Sequence, residues 1–135
     1  MSSPGTVLIV EDDDGIRSLL VAVVERDGFR SKTAEDGRAA LKVLGDGDGD
    51  GDGGAEPDVI LLDLVMPHVD GFTVLEHLGQ KLPHLLQRVI VLTAATDSYL
   101  RKCREIDRVW CVRRKPLEIA DLRAQLLRCA SAAQH

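Results

Sequence analysis

The 135-residue sequence has few aromatic side chains, no excess of basic charge and no long apolar run. Aromatic residues make up 3% of the chain and hydrophobic residues 44%, so the core must be built from aliphatic side chains. Lys and Arg number 17 against 22 Asp and Glu, a net charge of -5 that argues against sequence-independent nucleic-acid binding. No apolar run approaches the roughly 18 to 20 residues that a membrane span needs. This length and composition are typical of one globular domain covering residues 1–135.

Cysteine is also sparse, and its spacing matches no known kind of site. Cys103, Cys111 and Cys129 are odd in number and form no CxxC pair, so neither a disulfide framework nor a zinc site is indicated. The four histidines lack metal-ligand spacing as well. The first residues contain neither a basic segment nor an apolar stretch of the kind that forms a signal peptide. We therefore expect a cytoplasmic protein with no membrane contact.

Short apolar runs alternate with helical patterns along the whole chain. Wholly apolar, β-branched runs at 6–10, 59–62 and 89–92 predict strands buried on both faces, and weaker strands are predicted at 29–34 and 109–112. Helical periodicity is found at 15–27, 37–44, 71–82 and, less regularly, 97–106, and a last helix is predicted from Pro116 onwards. Five such alternations predict an α/β fold: a doubly wound, five-stranded parallel sheet of flavodoxin-like order 2-1-3-4-5, with a core over about residues 6–128.

Residues 45–54, GDGDGDGDGG, interrupt this pattern before the third strand. Asp46, Asp48 and Asp50 are spaced like the start of a calcium-binding loop, but Pro57 stands where that loop needs a bidentate Glu. Because glycine is conformationally free and the aspartates repel one another, we predict a flexible insertion.

Polar residues stand at or just beyond the carboxyl ends of four of the five predicted strands. Glu11 and Asp12 follow the first strand, Asp63 ends the third, Thr93 ends the fourth and Lys115 follows the fifth. In the predicted order the first and third strands are neighbours, so three carboxylates converge at one edge of the sheet. Close carboxylates repel one another, and an oxygen-preferring divalent cation would relieve that repulsion. The sequence therefore predicts a site for Mg²⁺, or for Mn²⁺, at this edge.

The chain resembles the CheY-like receiver domain of two-component response regulators from about Thr6 to Leu127. The resemblance rests on four motifs in order, which are Val10-Glu11-Asp12, Pro57-Asp58-Val59-Ile60-Leu61-Leu62-Asp63-Leu64-Val65-Met66-Pro67 with Asp70-Gly71, Leu92-Thr93-Ala94, and Lys115-Pro116.

The resemblance implies a role for each of these residues. Asp63 would be the phosphoacceptor, and a metal would be held by Glu11, Asp12, Asp63 and the backbone carbonyl of Val65, with Glu11 acting through a water. Thr93 would be the switch hydroxyl and Lys115 the phosphate-pairing lysine, with a cis peptide bond after it. Such a domain is not an enzyme beyond self-catalysed phosphorylation and dephosphorylation.

The resemblance also implies partners. A histidine kinase or histidine phosphotransfer protein would supply the phosphoryl group through contacts with the first helix. A downstream protein or an output domain would receive the signal, and the last helix-strand-helix face would serve output or a homodimer. A stand-alone regulator and a receiver cut from a longer chain are both consistent with the sequence.

Several alternatives stay open at this point. A phosphatase of the haloacid dehalogenase type also uses an Asp nucleophile, but its second Asp is replaced here by Val65. A phosphate-independent pseudo-receiver scaffold is the other reading. Where the family carries a switch aromatic this chain has Val112, so either that aromatic is absent or Trp110 takes its place or simply packs against the last helices.

Overall fold

The computed structural model describes residues 5–45, 56–66 and 70–134. Residues 46–54 of the predicted insertion, which include the three aspartates of the calcium-loop comparison, lie outside the described residues. Pro67 lies outside them as well.

The described residues form a five-stranded, all-parallel sheet. Its strands are β1 (Thr6–Val10), β2 (Arg30–Ala34), β3 (Val59–Asp63), β4 (Val89–Thr93) and β5 (Cys111–Arg114). Their order across the sheet is β2-β1-β3-β4-β5, which confirms the predicted fold and topology. Every residue of β3 and β4 is buried, as expected for central strands covered on both faces.

In the described part of the chain, five α-helices connect and cover the strands: α1 (Asp14–Arg26), α2 (Gly37–Leu44), α3 (Gly71–Lys81), α4 (Asp97–Leu100) and α5 (Ile119–Ala133). Aspartates start the first three. The side chains of Asp13, Asp36 and Asp70 each accept a hydrogen bond from the backbone amide three residues further on. This side-chain capping satisfies amides that have no partner inside the helix.

The second half of the chain departs from the predicted boundaries. The helix predicted at 97–106 is wrong: α4 ends at Leu100, Cys103 adopts an extended conformation, and a separate 3-10 turn follows at Arg104–Asp107. Leu100 and Cys103 are both buried, so their spacing resembled that of one helical face although a turn at residues 101–102 separates them.

The starts of the last strand and the last helix also differ from the prediction. β5 begins at Cys111, because pairing with β4 matches Ile90 to Cys111, and not at residue 109. The last helix begins at Ile119, since Glu118 has an extended backbone that precedes the helix. A 3-10 segment, Pro83–Arg88, was not predicted.

The core consists of two aliphatic layers on opposite faces of the sheet. Alternation along β1 directs Leu8 and Val10 to the layer that α2 and α3 cover, while Val7 and Ile9 face the layer covered by α1 and α5. Within the described ranges, no helix is long and apolar enough to cross a membrane. Since apolar side chains fill both faces, polar groups concentrate at the carboxyl edge of the sheet.

Candidate metal and phosphoryl site

Three carboxylates meet at the carboxyl edge of β1 and β3. These strands are neighbours, with Val10 paired to Leu62, so the residues that follow them lie side by side. Carboxylate oxygens of Glu11, Asp12 and Asp63 lie within 4.8 Å of one another. Glu11 and Asp63 are buried, whereas Asp12 is exposed. The predicted convergence is therefore present.

Lys115 directly follows β5, the edge strand two places from β3, and its side chain extends to this cluster. Its backbone amide donates to the carbonyl of Thr93 over 2.9 Å, which extends the pairing of β5 with β4 by one residue. Its Nζ lies 3.2 Å from Glu11 Oε2 and 3.4 Å from Asp63 Oδ2. The peptide bond between Lys115 and Pro116 is cis, as the resemblance implied.

Burial and mutual repulsion perturb the two inner carboxyl groups. Burial, together with the charge of Asp63, raises the pKa of Glu11 to about 7. Burial also raises the pKa of Asp63, opposed by the Val65 amide, which donates to Asp63 Oδ1 over 3.1 Å, and by Lys115. Burial disfavours the charge of Lys115, but the two carboxylates outweigh it and raise the pKa of the ammonium group. One lysine cannot neutralise three carboxylates, so the cluster keeps surplus negative charge.

The donor set fits a hard divalent cation. All three side chains offer carboxylate oxygens, which suit Mg²⁺ and Mn²⁺. The exposure of Asp12 leaves one side of the cluster open to water, which Mg²⁺ commonly retains in its coordination shell. The cluster is thus compatible with Mg²⁺ binding. The Val65 carbonyl stays a predicted ligand.

Thr93 ends β4 beside the cluster. Asp63 pairs with Leu92 in the sheet, so Thr93 stands one residue beyond that pair on the neighbouring strand. Its side chain is buried, and its Oγ1 accepts a hydrogen bond from the Ala95 amide over 2.8 Å. The hydroxyl group therefore holds the connection between β4 and α4.

Trp110, the aromatic residue considered as a possible switch residue, is bound to the last helix. Trp110 Nε1 donates to Gln125 Oε1 of α5 over 3.1 Å, and the indole packs against the layer that α1 and α5 cover. Val112 packs against the opposite layer. Trp110 thus packs against the last helix, which was one of the alternatives left open by the sequence.

Sequence reasoning missed one residue of this region, Arg114 at the end of β5. Its Nη1 donates to the Ala95 carbonyl over 2.6 Å, and its guanidinium pairs with the Asp97 carboxylate. Its position directly before Lys115, just beyond the end of the predicted fifth strand, was the only signal that the sequence offered. The contact itself depends on a loop whose path the sequence pattern does not determine.

A family model described as the response regulator receiver domain matches residues 7–127. The chain belongs to this family, whose members are in general signalling domains and not enzymes. Membership does not favour a haloacid-dehalogenase-type phosphatase or a phosphate-independent scaffold.

Curated relatives agree with this assignment. The chain is 36% identical over 95 residues to the transcriptional regulatory protein AfsQ1 of Streptomyces coelicolor, covering 69% of the chain and 36% of AfsQ1. It is 33% identical over 93 residues to the alkaline phosphatase synthesis transcriptional regulatory protein PhoP of Bacillus subtilis, and this match covers 69% of the chain and 35% of PhoP. The chain thus spans little more than a third of the length of these regulators.

Solved structures share the fold over nearly the whole chain. The receiver domain of the Francisella response regulator 1452 has a TM-score of 0.76 at 26% identity and covers 95% of this chain and 98% of its own. The receiver domain of a signal transduction histidine kinase from Syntrophus aciditrophicus has a TM-score of 0.77 at 27% identity, and the match covers 95% of this chain and 91% of that domain's chain.

Proposed function

We propose that Asp63 accepts a phosphoryl group from a histidine kinase or a histidine phosphotransfer protein and that this event switches the domain. The observation that carries the proposal is that one buried carboxylate, Asp63, lies close to a lysine and to two further acids at the sheet edge. A purely structural aspartate at a strand end would not need this surplus of like charge, since burying it is costly.

The transfer is a nucleophilic displacement at phosphorus. A carboxylate oxygen of Asp63 attacks the phosphohistidine phosphorus, the P–N bond breaks as the P–O bond forms, and the imidazole leaves with the bonding pair. The attack needs Asp63 ionised. Lys115 Nζ at 3.4 Å and the Val65 amide at 3.1 Å favour that form against the effect of burial.

Charge neutralisation is the main catalytic requirement of such a transfer. Lys115 supplies one positive charge beside Asp63 Oδ2. Glu11, Asp12 and Asp63, with the Val65 carbonyl, would hold Mg²⁺ or Mn²⁺, which when bound neutralises charge on the phosphoryl oxygens. Because these groups stand ready in the chain, self-catalysed phosphorylation from a small acyl phosphate and self-catalysed hydrolysis form part of the proposal.

The proposed conformational switch depends on the hydroxyl group of Thr93. A phosphoryl group on Asp63 adds strong hydrogen-bond acceptors one strand away from this hydroxyl group. Rotation about the Thr93 side chain would bring the hydroxyl to those acceptors and remove it from the Ala95 amide, to which it is bound over 2.8 Å. The loop between β4 and α4 would then change its conformation.

Partners are proposed on the same basis. We infer that the phosphoryl donor docks on α1, where Leu19 is 48% exposed. The signal passes to a downstream protein or an output domain, and the α4-β5-α5 face offers the surface for that contact or for a homodimer.

We further infer that residues 1–135 form one domain, working alone or within a longer protein, with a flexible insertion at 45–54. If the donor takes its phosphoryl group from ATP, the donor and this chain would meet in the cytoplasm.

The decisive experiment measures intact mass after incubation with acetyl phosphate and Mg²⁺. We expect the native chain to gain one phosphoryl group and Asp63→Asn to gain none. A chelator should suppress the gain, and Asp12→Asn should slow it because one metal-binding carboxylate is lost. Asp107→Asn, at an exposed position in the Arg104–Asp107 turn, is the matched control and should behave as the native chain. Full phosphorylation of Asp63→Asn would overturn the proposal.

A further inference from the structure

Arg114 links the last strand to the connection between β4 and α4. Its Nη1 donates to the carbonyl of Ala95 over 2.6 Å, and its Nη2 pairs with Oδ1 of Asp97, the first residue of α4. The neighbouring Arg113 makes no such link, since it pairs with Asp121 of α5 and bonds to the Val112 carbonyl. Arg114 therefore holds the loop, and Arg113 holds the last helix.

Ala95 is held from both sides. Its amide donates to Thr93 Oγ1 over 2.8 Å, and its carbonyl accepts from Arg114. Arg114 also lies opposite Thr93 in the pairing of β4 with β5. The two hydrogen bonds restrain the peptide groups on either side of the Ala95 Cα. A loop movement that breaks the bond to Thr93 therefore also disturbs the bond to Arg114.

The loop leads directly to an exposed surface. Thr96 Oγ1 caps α4 by accepting from the Tyr99 amide over 3.3 Å. Tyr99 is 48% exposed and packs edge-on against Phe72 of α3, with ring centroids 5.1 Å apart. A shift of the loop would therefore move the start of α4 and the exposed ring of Tyr99.

We propose that Arg114 is a positioning residue that holds the connection between β4 and α4 in its unphosphorylated arrangement and gives up this hold when Thr93 turns toward a phosphoryl group on Asp63. This inference rests on the function proposed above. By linkage, a contact present in only one of two arrangements opposes whatever stabilises the other. Arg114 therefore resists phosphorylation of Asp63 to the same extent that phosphorylation loosens Arg114.

The strength of the contact suits such a restraint. The side chains of Arg114 and Asp97 are 49% and 71% exposed, so water screens their attraction. An exposed ion pair with one added hydrogen bond biases an equilibrium without locking it. One phosphorylation event is then enough to change the arrangement.

The test compares Arg114→Ala with Arg113→Ala, which removes a neighbouring arginine and its ion pair but no contact to the loop. With acetyl phosphate and Mg²⁺, we expect Arg114→Ala to gain its phosphoryl group about two- to fivefold faster than the native chain, the scale of one exposed ion pair. Arg113→Ala should match the native rate. Arg114→Lys, which keeps the charge but lacks the forked guanidinium, should fall between the native chain and Arg114→Ala.

A spectroscopic measurement separates positioning from general destabilisation. In the unphosphorylated state, the amide NMR signals of Ala95 and Thr96 in Arg114→Ala should move toward their positions in the phosphorylated native chain. Asp97→Asn should move them in the same direction, and it serves in place of Arg114→Ala if that variant does not fold.

The inference is overturned if Arg114→Ala and Asp97→Asn leave both the rate and these amide signals where Arg113→Ala leaves them. If the native chain gains no phosphoryl group at all, the proposed function fails instead, and this inference fails with it.

Discussion

Asp63 is the residue on which the proposed chemistry depends, and its surroundings shift its pKa in opposite directions. Burial raises its pKa, while the Val65 amide and the Lys115 ammonium group favour the ionised form. The same two donors would stabilise negative charge on the oxygens around phosphorus. A carboxylate with these neighbours is thus suited both to attack and to carry the product.

Two side chains, Val65 two residues after Asp63 and Ala95 two residues after Thr93, bear on how long an acyl phosphate on Asp63 would last. Val65 is 55% exposed and Ala95 is half-buried, and neither has a polar group that could orient an attacking water. We therefore expect a long-lived phosphorylated form, measured as the decay of the intact-mass peak after the donor is removed. Val65→Asn should shorten the half-life by about tenfold, since an amide can position water.

Val65→Ala is the control for that change, and its half-life should equal that of the native chain. Decay of the native phosphorylated form within seconds, with no phosphatase added, would contradict the argument.

At the scale of the elements, α3 starts in close contact with the end of β3. A Cβ added at Gly71 would come within 2.4 Å of the Asp63 carbonyl oxygen and 2.6 Å of Leu64 Cα, both backbone atoms. The Gly71 amide also donates to the Leu64 carbonyl over 3.0 Å. Only glycine permits this approach, which brings the capped start of α3 against the backbone of Asp63 and Leu64.

We expect Gly71→Ala to lower the free energy of unfolding by about 1–3 kcal/mol, because the backbone must shift to admit the methyl group. The shift displaces Asp63, so phosphorylation should slow as well. Urea unfolding and the intact-mass assay measure the two effects.

Gly79→Ala is the matched control within the same helix. A Cβ there would meet Glu105 Cγ at 3.1 Å, part of a flexible side chain that can move aside. Alanine favours a helix over glycine by roughly 0.5–1 kcal/mol, so we expect unchanged or slightly higher stability. Equal losses of unfolding free energy in the two variants would show that the close backbone contact at Gly71 is not the cause of the destabilisation.

At the scale of the whole molecule, one ion pair joins the first helix to the last. Arg123 of α5 binds Asp27, at the end of α1, with both nitrogens of one edge, Nε at 3.1 Å and Nη2 at 2.8 Å. The hydrogen bond from Arg123 lowers the pKa of Asp27 below its usual 3.8. The contribution of Asp27 to stability is therefore complete above pH 3.8 and is lost as the pH falls through the lower folded pKa.

We expect Asp27→Asn to lower the melting temperature modestly at neutral pH, because the pair is partly exposed to solvent and screened. The difference from the native chain should shrink as the pH falls below 3.8. Thermal unfolding followed by circular dichroism across this range measures it, with Asp107→Asn as the control. A difference that stays constant with pH would exclude the ion pair as its cause.

Most of the fold was predictable from local patterns. The apolar runs within β1, β3 and β4 and the periodicity of α1 are properties of neighbouring residues, and they determined the element order and the sheet topology. The same local logic failed at α4, where Leu100 and Cys103 are buried for tertiary reasons and only appear to share a helical face.

Sequence alone determined which residues would end the strands, and with that the identity of the acidic cluster, because the carboxyl ends of parallel strands must share one edge of the sheet. Tertiary structure decided what each side chain touches. Lys115 meets Glu11 across 104 positions of the chain, and Arg114 meets Ala95 across 19, contacts that depend on strand register and loop path. Register and loop path come from packing between distant segments, and no pattern among neighbouring residues encodes them.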